Sequence, residues 1–158
     1  MGVLIAGLAL LLASGGAESE PTDFEKGLSL LQFSVLSERP VYHRGQPVRL
    51  ILTLANPGDT PQFFSFRSSH QYDFVIRREN QQVWEWSAGR MFAQALTQWT
   101  LQPHETRTFR ETWDQNGPNG EPASPGSYEL VGMLLVVDRT YTATAAFTIE
   151  GSSPRGND

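Results

Sequence analysis

The sequence contains no cysteine. Disulfide bonds, thiolate catalysis and cysteine-ligated zinc or iron–sulfur sites are therefore excluded together, since each requires a thiol. Charge is also scarce, because charged residues make up 18% of the chain, the formal net charge is -5, and Arg77 and Arg78 are the only adjacent basic residues. A nucleic-acid surface requires clustered basic side chains. We therefore expect no nucleic-acid partner and a fold stabilised by packing alone.

Groups that carry catalysis are few as well. The histidines are His43, His70 and His104, and each lies in a polar, loop-like stretch. A hydrolytic triad nearly always uses histidine as its base, and no serine here lies in a nucleophile-elbow pattern. Asp73 and Glu85 offer an alternative acid/base pair, but their aromatic neighbours favour strand residues whose carboxylates hold backbone or arginine groups. The sequence therefore predicts no enzyme, no catalytic residue and no small-molecule substrate.

Methionine and histidine together raise the question of a copper or zinc site. Met1 lies in the N-terminal segment, Met133 lies in an apolar stretch, and Met91, which precedes Trp99, is expected to pack in the core rather than bind a metal. Residues 117–120 lack the Lys-Ser/Thr ending and the following helix of a phosphate-binding loop. We expect no metal and no cofactor, and metal transport is the weakest functional hypothesis.

The two ends of the chain differ from its middle. Residues 3–13 form an apolar run that is followed by small residues at 15–17, a pattern typical of a secretion signal. We expect residues 1–17 to be an export signal or N-terminal anchor and the protein to be secreted or extracytoplasmic. It would contact a membrane only through residues 3–13, if the signal is not cleaved. We expect residues 18–27 to form an acidic flexible linker and residues 151–158 to form a disordered tail.

Between these ends, apolar residues recur with the period of two that strands require. Val48, Leu50, Leu52 and Leu54 share one face, for example. No stretch has the period of a three-turn amphipathic helix, and the only helical turn expected is near residues 87–95. The predicted strands are residues 28–36, 48–55, 62–67, 72–78, 83–87, 97–101, 106–113, 127–137 and 140–150. We therefore predict one all-β domain over residues 28–150, a sandwich of seven to nine short strands.

One long connection separates two of the predicted strands. Residues 115–126 hold three glycines and three prolines, so we expect them to be a solvated connection or a protein-binding loop rather than core. The residues expected to bind a partner are Gln115, Asn116, Gly117, Pro118, Asn119, Gly120 and Glu121. Pro-Gly-Ser-Tyr follows at 125–128, where Tyr128 either ties a sandwich corner through its hydroxyl or follows an ordinary turn.

An ordered set of mostly aromatic residues carries a family resemblance. These residues are Tyr72, Asp73, Phe74, Trp84, Trp86, Phe92, Gln94, Trp113 and Tyr128. The set resembles the BsuPI-type intracellular proteinase inhibitor domain family over residues 28–149. The resemblance implies an immunoglobulin-like antiparallel β-sandwich, in which we expect these residues to be scaffold rather than reactive groups.

The resemblance also implies a function. It predicts a non-catalytic protein that binds and inhibits a serine protease, such as one of the subtilisin type, through loops held on the rigid sandwich. Because residues 1–17 look like an export signal, we expect the target to be extracytoplasmic. The alternative is a cell-envelope interaction or assembly module that uses the same scaffold and has no inhibitory activity.

Overall fold

The computed structural model describes residues 30–151. The predicted export signal or anchor and the acidic linker lie outside this range, as does the predicted tail beyond Gly151. Over residues 30–151, the chain contains no helix with the length and apolar character needed to cross a membrane.

Residues 30–151 contain ten β-strands. They are β1 Gln32–Ser37, β2 Val41–His43, β3 Val48–Ala55, β4 Gln62–Phe66, β5 Tyr72–Arg78, β6 Gln81–Glu85, β7 Thr97–Leu101, β8 Thr106–Trp113, β9 Gly126–Val136 and β10 Arg139–Glu150. Each of the nine predicted strands has a counterpart, but the first begins at Gln32 rather than at residue 28, and residues 28 and 29 lie outside the described range. The helical turn predicted near residues 87–95 is wrong, because these residues form a turn followed by irregular chain.

The strand that the sequence did not predict is β2. It has three residues, too few to show a period of two, and it pairs in parallel with the end of β10. The predicted start of β6 was also two residues late. Glu79 and Asn80 both have positive φ, of 50° and 64°, and close a tight two-residue hairpin between β5 and β6.

The strands form two main sheets and a short ribbon. Three strands pair in the order β1-β3-β8, five pair in the order β2-β10-β9-β5-β6, and β4 pairs with β7. Every pairing is antiparallel except that of β2 with β10. The predicted all-β, immunoglobulin-like sandwich is confirmed, with ten strands in place of seven to nine.

The core lies between the two main sheets. Leu50, Leu52 and Leu54 on β3 are fully buried, as their spacing predicted. The sheets approach closely at Gly132 on β9, where an added Cβ atom would lie 2.6 Å from Leu52 Cδ1 and 2.7 Å from Val35 Cγ2. A second apolar cluster joins the β4–β7 ribbon to this core through Leu54, Phe64, Phe66, Leu101 and Leu134.

Two long connections flank β6, one of the two edge strands of the five-stranded sheet. Residues 86–96 are the β6–β7 loop, and residues 114–125 are the β8–β9 loop. Residues of both loops line one groove beside β6. The fold therefore brings two surface loops that are distant in sequence to the same edge of the sandwich.

Candidate protein-binding site

The β8–β9 loop is anchored by the first residue of the predicted binding segment. Gln115 is only 2% exposed, so the prediction that residues 115–126 all lie outside the core is wrong for it. Its Nε2 atom donates to the backbone carbonyls of His43 at 2.9 Å and Gln46 at 2.7 Å, and its Oε1 accepts the Gly45 N–H at 2.8 Å. These bonds fasten the loop to the β2–β3 turn.

The rest of the predicted segment forms a short projecting loop. Asn116 pairs with Pro122 in an antiparallel bridge, and the Gly117 N–H donates to the Glu121 carbonyl at 2.8 Å. The Asn119 N–H donates to the Glu121 carboxylate at 3.0 Å. Trp113 Nε1 donates to the Asn116 carbonyl at 2.9 Å, which ties the loop to the core. Asn116 and Gly117 are half-buried, whereas Pro118, Asn119, Gly120 and Glu121 are exposed.

The far side of this loop is also held. Tyr128 is buried, and its hydroxyl donates to the Ser124 carbonyl at 2.6 Å. The structure therefore supports the first of the two alternatives for Tyr128, in which its hydroxyl ties a corner of the sandwich. The Ala123 N–H donates to the Gln115 carbonyl at 2.7 Å, which closes the base of the loop.

The β6–β7 loop contains Met91, a residue that the sequence pattern predicted to be buried. The prediction that Met91 packs in the core is wrong, because this residue is 99% exposed. The Trp99 ring instead packs against Phe64 and Phe66, and the Arg107 guanidinium lies 4.1 Å from the ring centroid. The sequence pattern therefore did not predict that Met91 stands exposed in this loop, at a position that we call the loop crest.

The chain before Met91 is fixed by a buried carboxylate. Asp73 is 2% exposed. Its Oδ1 atom accepts the N–H of Phe74 at 2.8 Å and of Ser87 at 3.2 Å, and its Oδ2 atom lies 2.9 Å from His70 Nε2. Asp73 therefore serves as a structural acceptor for the start of the loop, as its aromatic neighbours predicted.

Aromatic rings support both residues next to Met91. Tyr72 stacks on Trp86 with ring centroids 4.7 Å apart, and the Arg90 guanidinium lies 4.5 Å from the Trp86 ring centroid. Arg90 Nε also donates to the Trp86 carbonyl at 2.7 Å. On the other side of Met91, Phe92 stacks on His70 at 4.3 Å. Met91 thus stands between two residues that are each held against a ring.

The chain after Met91 is fixed by two hydrogen bonds to Ser69 in the β4–β5 connection. The Ser69 N–H donates to the Ala93 carbonyl at 3.0 Å, and the Ala93 N–H donates to Ser69 Oγ at 2.8 Å. Gln94 Nε2 donates to the Phe92 carbonyl at 3.2 Å. The loop is therefore held on both sides of its crest.

The expected scaffold residues occupy packed positions with one exception. Asp73, Phe74, Trp113 and Tyr128 are buried, Tyr72, Trp84, Trp86 and Phe92 are half-buried, and Gln94 is exposed. Burial, followed by the hydrogen bond that the Tyr72 hydroxyl donates to Glu111 at 2.6 Å, raises the pKa of Tyr72. Tyr72 therefore stays a neutral donor at physiological pH.

The groove between the two loops has a volume of about 590 Å³. One wall consists of Trp84 and Glu85 with the Ala88-Gly89 turn, and the other of residues from Asp114 to Gly120 in the β8–β9 loop. Within residues 30–151, no group of three or more histidine, aspartate or glutamate side chains is placed to hold a metal ion. The arrangement offers two projecting loops and a shallow groove for a macromolecular partner.

One protein family accounts for most of this chain. The sequence model of BsuPI, described as intracellular proteinase inhibitor, matches residues 35–139. The chain belongs to the BsuPI family. The match spans all the residues on which the predicted resemblance rests, and that prediction is confirmed. Among curated proteins, no sequence matches the chain.

The family description contradicts one prediction. We expected a secreted or extracytoplasmic protein, whereas BsuPI is described as an intracellular proteinase inhibitor, so the predicted location is wrong. The expectation rested on the apolar run of residues 3–13, which lies outside the described residues.

Several solved structures are similar to this chain at low sequence identity. A β-glucosidase from Erythrobacter marinus matches at 14% identity and a TM-score of 0.46, over 76% of this chain and 15% of its own. A Pseudomonas fluorescens alkylpurine DNA glycosylase matches at 14% identity and a TM-score of 0.46, over 77% of this chain and 30% of its own. The CARDB domain of a Pyrococcus furiosus protein matches at 12% identity and a TM-score of 0.40, over 75% of this chain and 91% of its own. The BsuPI chain thus spans less than a third of the first two proteins, and these similarities carry no argument about function.

Proposed function

We propose that this BsuPI protein binds a serine protease of the subtilisin type and inhibits it, without catalysing a reaction itself. The family description supports inhibition and a proteinase as the partner. In this proposal, the protease contacts residues Gln115 to Glu121 of the β8–β9 loop together with the facing β6–β7 loop.

The observation that carries this proposal is that both loops are fastened at their bases on one edge of a rigid sandwich. Gln115 fixes one loop through three hydrogen bonds, and Asp73 fixes the other through its bond to Ser87. A loop that is already ordered loses little conformational entropy when it binds.

The experiment that tests inhibition is a titration of subtilisin with the purified full-length chain. The expected result is a fall in residual peptidase activity that reaches its end point near one inhibitor per enzyme. Trypsin serves as the comparison protease, and intact-mass analysis shows whether the chain survives. Unchanged subtilisin activity at a large molar excess of intact chain would overturn the proposed function.

A surface substitution tests the role of the β8–β9 loop. Asn119 is exposed at its tip, so Asn119→Trp should leave the fold intact and obstruct the contact. We expect subtilisin inhibition to weaken by about tenfold or more, as for a disruptive change in an interface. Ser34→Trp is the matched control, because Ser34 is exposed on β1, at the opposite edge of its sheet from β8. Equal inhibition by both variants would remove this loop from the contact.

A further inference from the structure

Met91 combines properties that no other residue in the β6–β7 loop has. Its side chain is fully exposed, while the residues on both sides of it are held against the rings of Trp86 and His70. Among residues 30–151, its backbone N–H and C=O have no hydrogen-bond partner. An apolar side chain and free main-chain groups are therefore presented to solvent from a fixed position.

Among residues 30–151, Met91 is the most exposed large apolar residue, and Leu96 in the same loop is 66% exposed. Phe63, at 72% exposed, lies on β4 and takes part in the ladder with β7. Leu36, at 45% exposed, lies on β1 and is paired with β3. Met91 and Leu96 both lie in the β6–β7 loop, but of the two only Met91 stands between residues that are held against rings. A single exposed apolar side chain is common on protein surfaces. What sets Met91 apart is that its exposure is combined with fixed neighbours and unpaired main-chain groups.

We infer that Met91 is the specificity-determining residue of the inhibitor and enters the apolar primary pocket of the target protease in the manner of a substrate side chain. This inference rests on the proposed function and deepens it. Methionine is unbranched and flexible, so it fits a deep apolar pocket without a strict demand on shape. The free N–H and C=O of Met91 can pair with the main chain of the protease cleft, as an added extended segment does.

The charges around Met91 define the class of pocket. Between residues 88 and 96 the only charged side chain is Arg90, and its guanidinium is occupied by the Trp86 ring and carbonyl. The crest is therefore apolar and carries no free charge of its own. This chemistry fits a protease that cleaves after large apolar residues and does not fit one whose primary pocket holds a carboxylate.

The test is an exchange of specificity at Met91, measured with the full-length chain. Met91→Lys should weaken inhibition of subtilisin on the order of 100-fold, the loss expected at a central contact residue, and should create inhibition of trypsin, whose pocket is acidic. Met91→Leu should retain inhibition within about threefold, since volume and polarity are kept. Leu36→Lys, a like change on β1, is the matched control and should behave as wild type.

The outcomes separate this inference from the proposed function. Because Met91 is fully exposed, the variants should unfold at the temperature of the wild-type chain, and a change in inhibition then reports on binding. If the wild-type chain inhibits subtilisin and Met91→Lys inhibits it equally well, the inference is overturned and the proposed function stands. If the wild-type chain inhibits neither protease, the proposed function fails and the inference fails with it.

Discussion

One buried polar residue anchors each of the two loops beside β6: Asp73 anchors the β6–β7 loop and Gln115 anchors the β8–β9 loop. Asp73 and Gln115 are each 2% exposed, and each bonds to groups from more than one segment of the chain. The partners of Gln115 lie 69 to 72 positions away in sequence. A polar residue in a Gly/Pro-rich stretch gives no sign of such partners, which is why the sequence predicted Gln115 as surface.

Replacement of Asp73 by asparagine tests its structural role. The amide nitrogen cannot accept a hydrogen bond, so Asp73→Asn loses an acceptor toward Ser87 and Phe74 or toward His70. A hydrogen bond to a charged group contributes roughly 1.5–3 kcal/mol, and we expect the free energy of unfolding in urea to fall by about 2 kcal/mol. Asp138→Asn, at an exposed turn, is the control. Equal unfolding midpoints would show that Asp73 does not stabilise the fold.

Among the elements, nine of the ten strands were predictable, whereas the positions of single side chains on the loops were not. The period of two on β3 predicted a strand and its buried face, because a half-buried strand imposes alternation on the sequence itself. The parallel pairing of β2 with β10 and the packing of Trp99 against Phe64 join segments that are far apart in the chain, and no local pattern encodes them. The family resemblance identified the scaffold residues but gave no contact residue.

Removal of the Gln115 side chain tests how the β8–β9 loop is held. Gln115→Ala leaves the Gly45 N–H and the carbonyls of His43 and Gln46 without this partner. An unsatisfied buried group costs about 1–3 kcal/mol, and we predict a loss of about 2 kcal/mol in urea unfolding together with weaker protease inhibition. Gln98→Ala removes an exposed glutamine and should change stability by less than about 0.5 kcal/mol. Similar losses in the two variants would contradict an anchoring role for Gln115.

At the scale of the whole molecule, the sandwich keeps the two loops in fixed positions only if its sheets stay closely packed. Gly132→Ala tests this packing, because its Cβ would lie 2.6 Å from Leu52 Cδ1 and 2.9 Å from Val35 Cβ. Overpacking of a core costs typically about 1–3 kcal/mol, and a drop of that size in stability is expected from thermal unfolding. Gly151→Ala, with an ordinary 3.7 Å contact, should leave stability unchanged. A wild-type melting temperature for Gly132→Ala would mean that the sheets can separate at little cost.

The proposed contact with a subtilisin-type protease consists of the two loops beside β6. Hydrogen exchange of the full-length chain, with and without catalytically inactivated subtilisin, distinguishes this contact from other faces of the sandwich, because slowed exchange maps the contact along the backbone. We expect slowed exchange in residues 86–96 and 115–121 and none in β1. Protection confined to β1 and the opposite edge of the sandwich, or no protection at saturating protease, would contradict it.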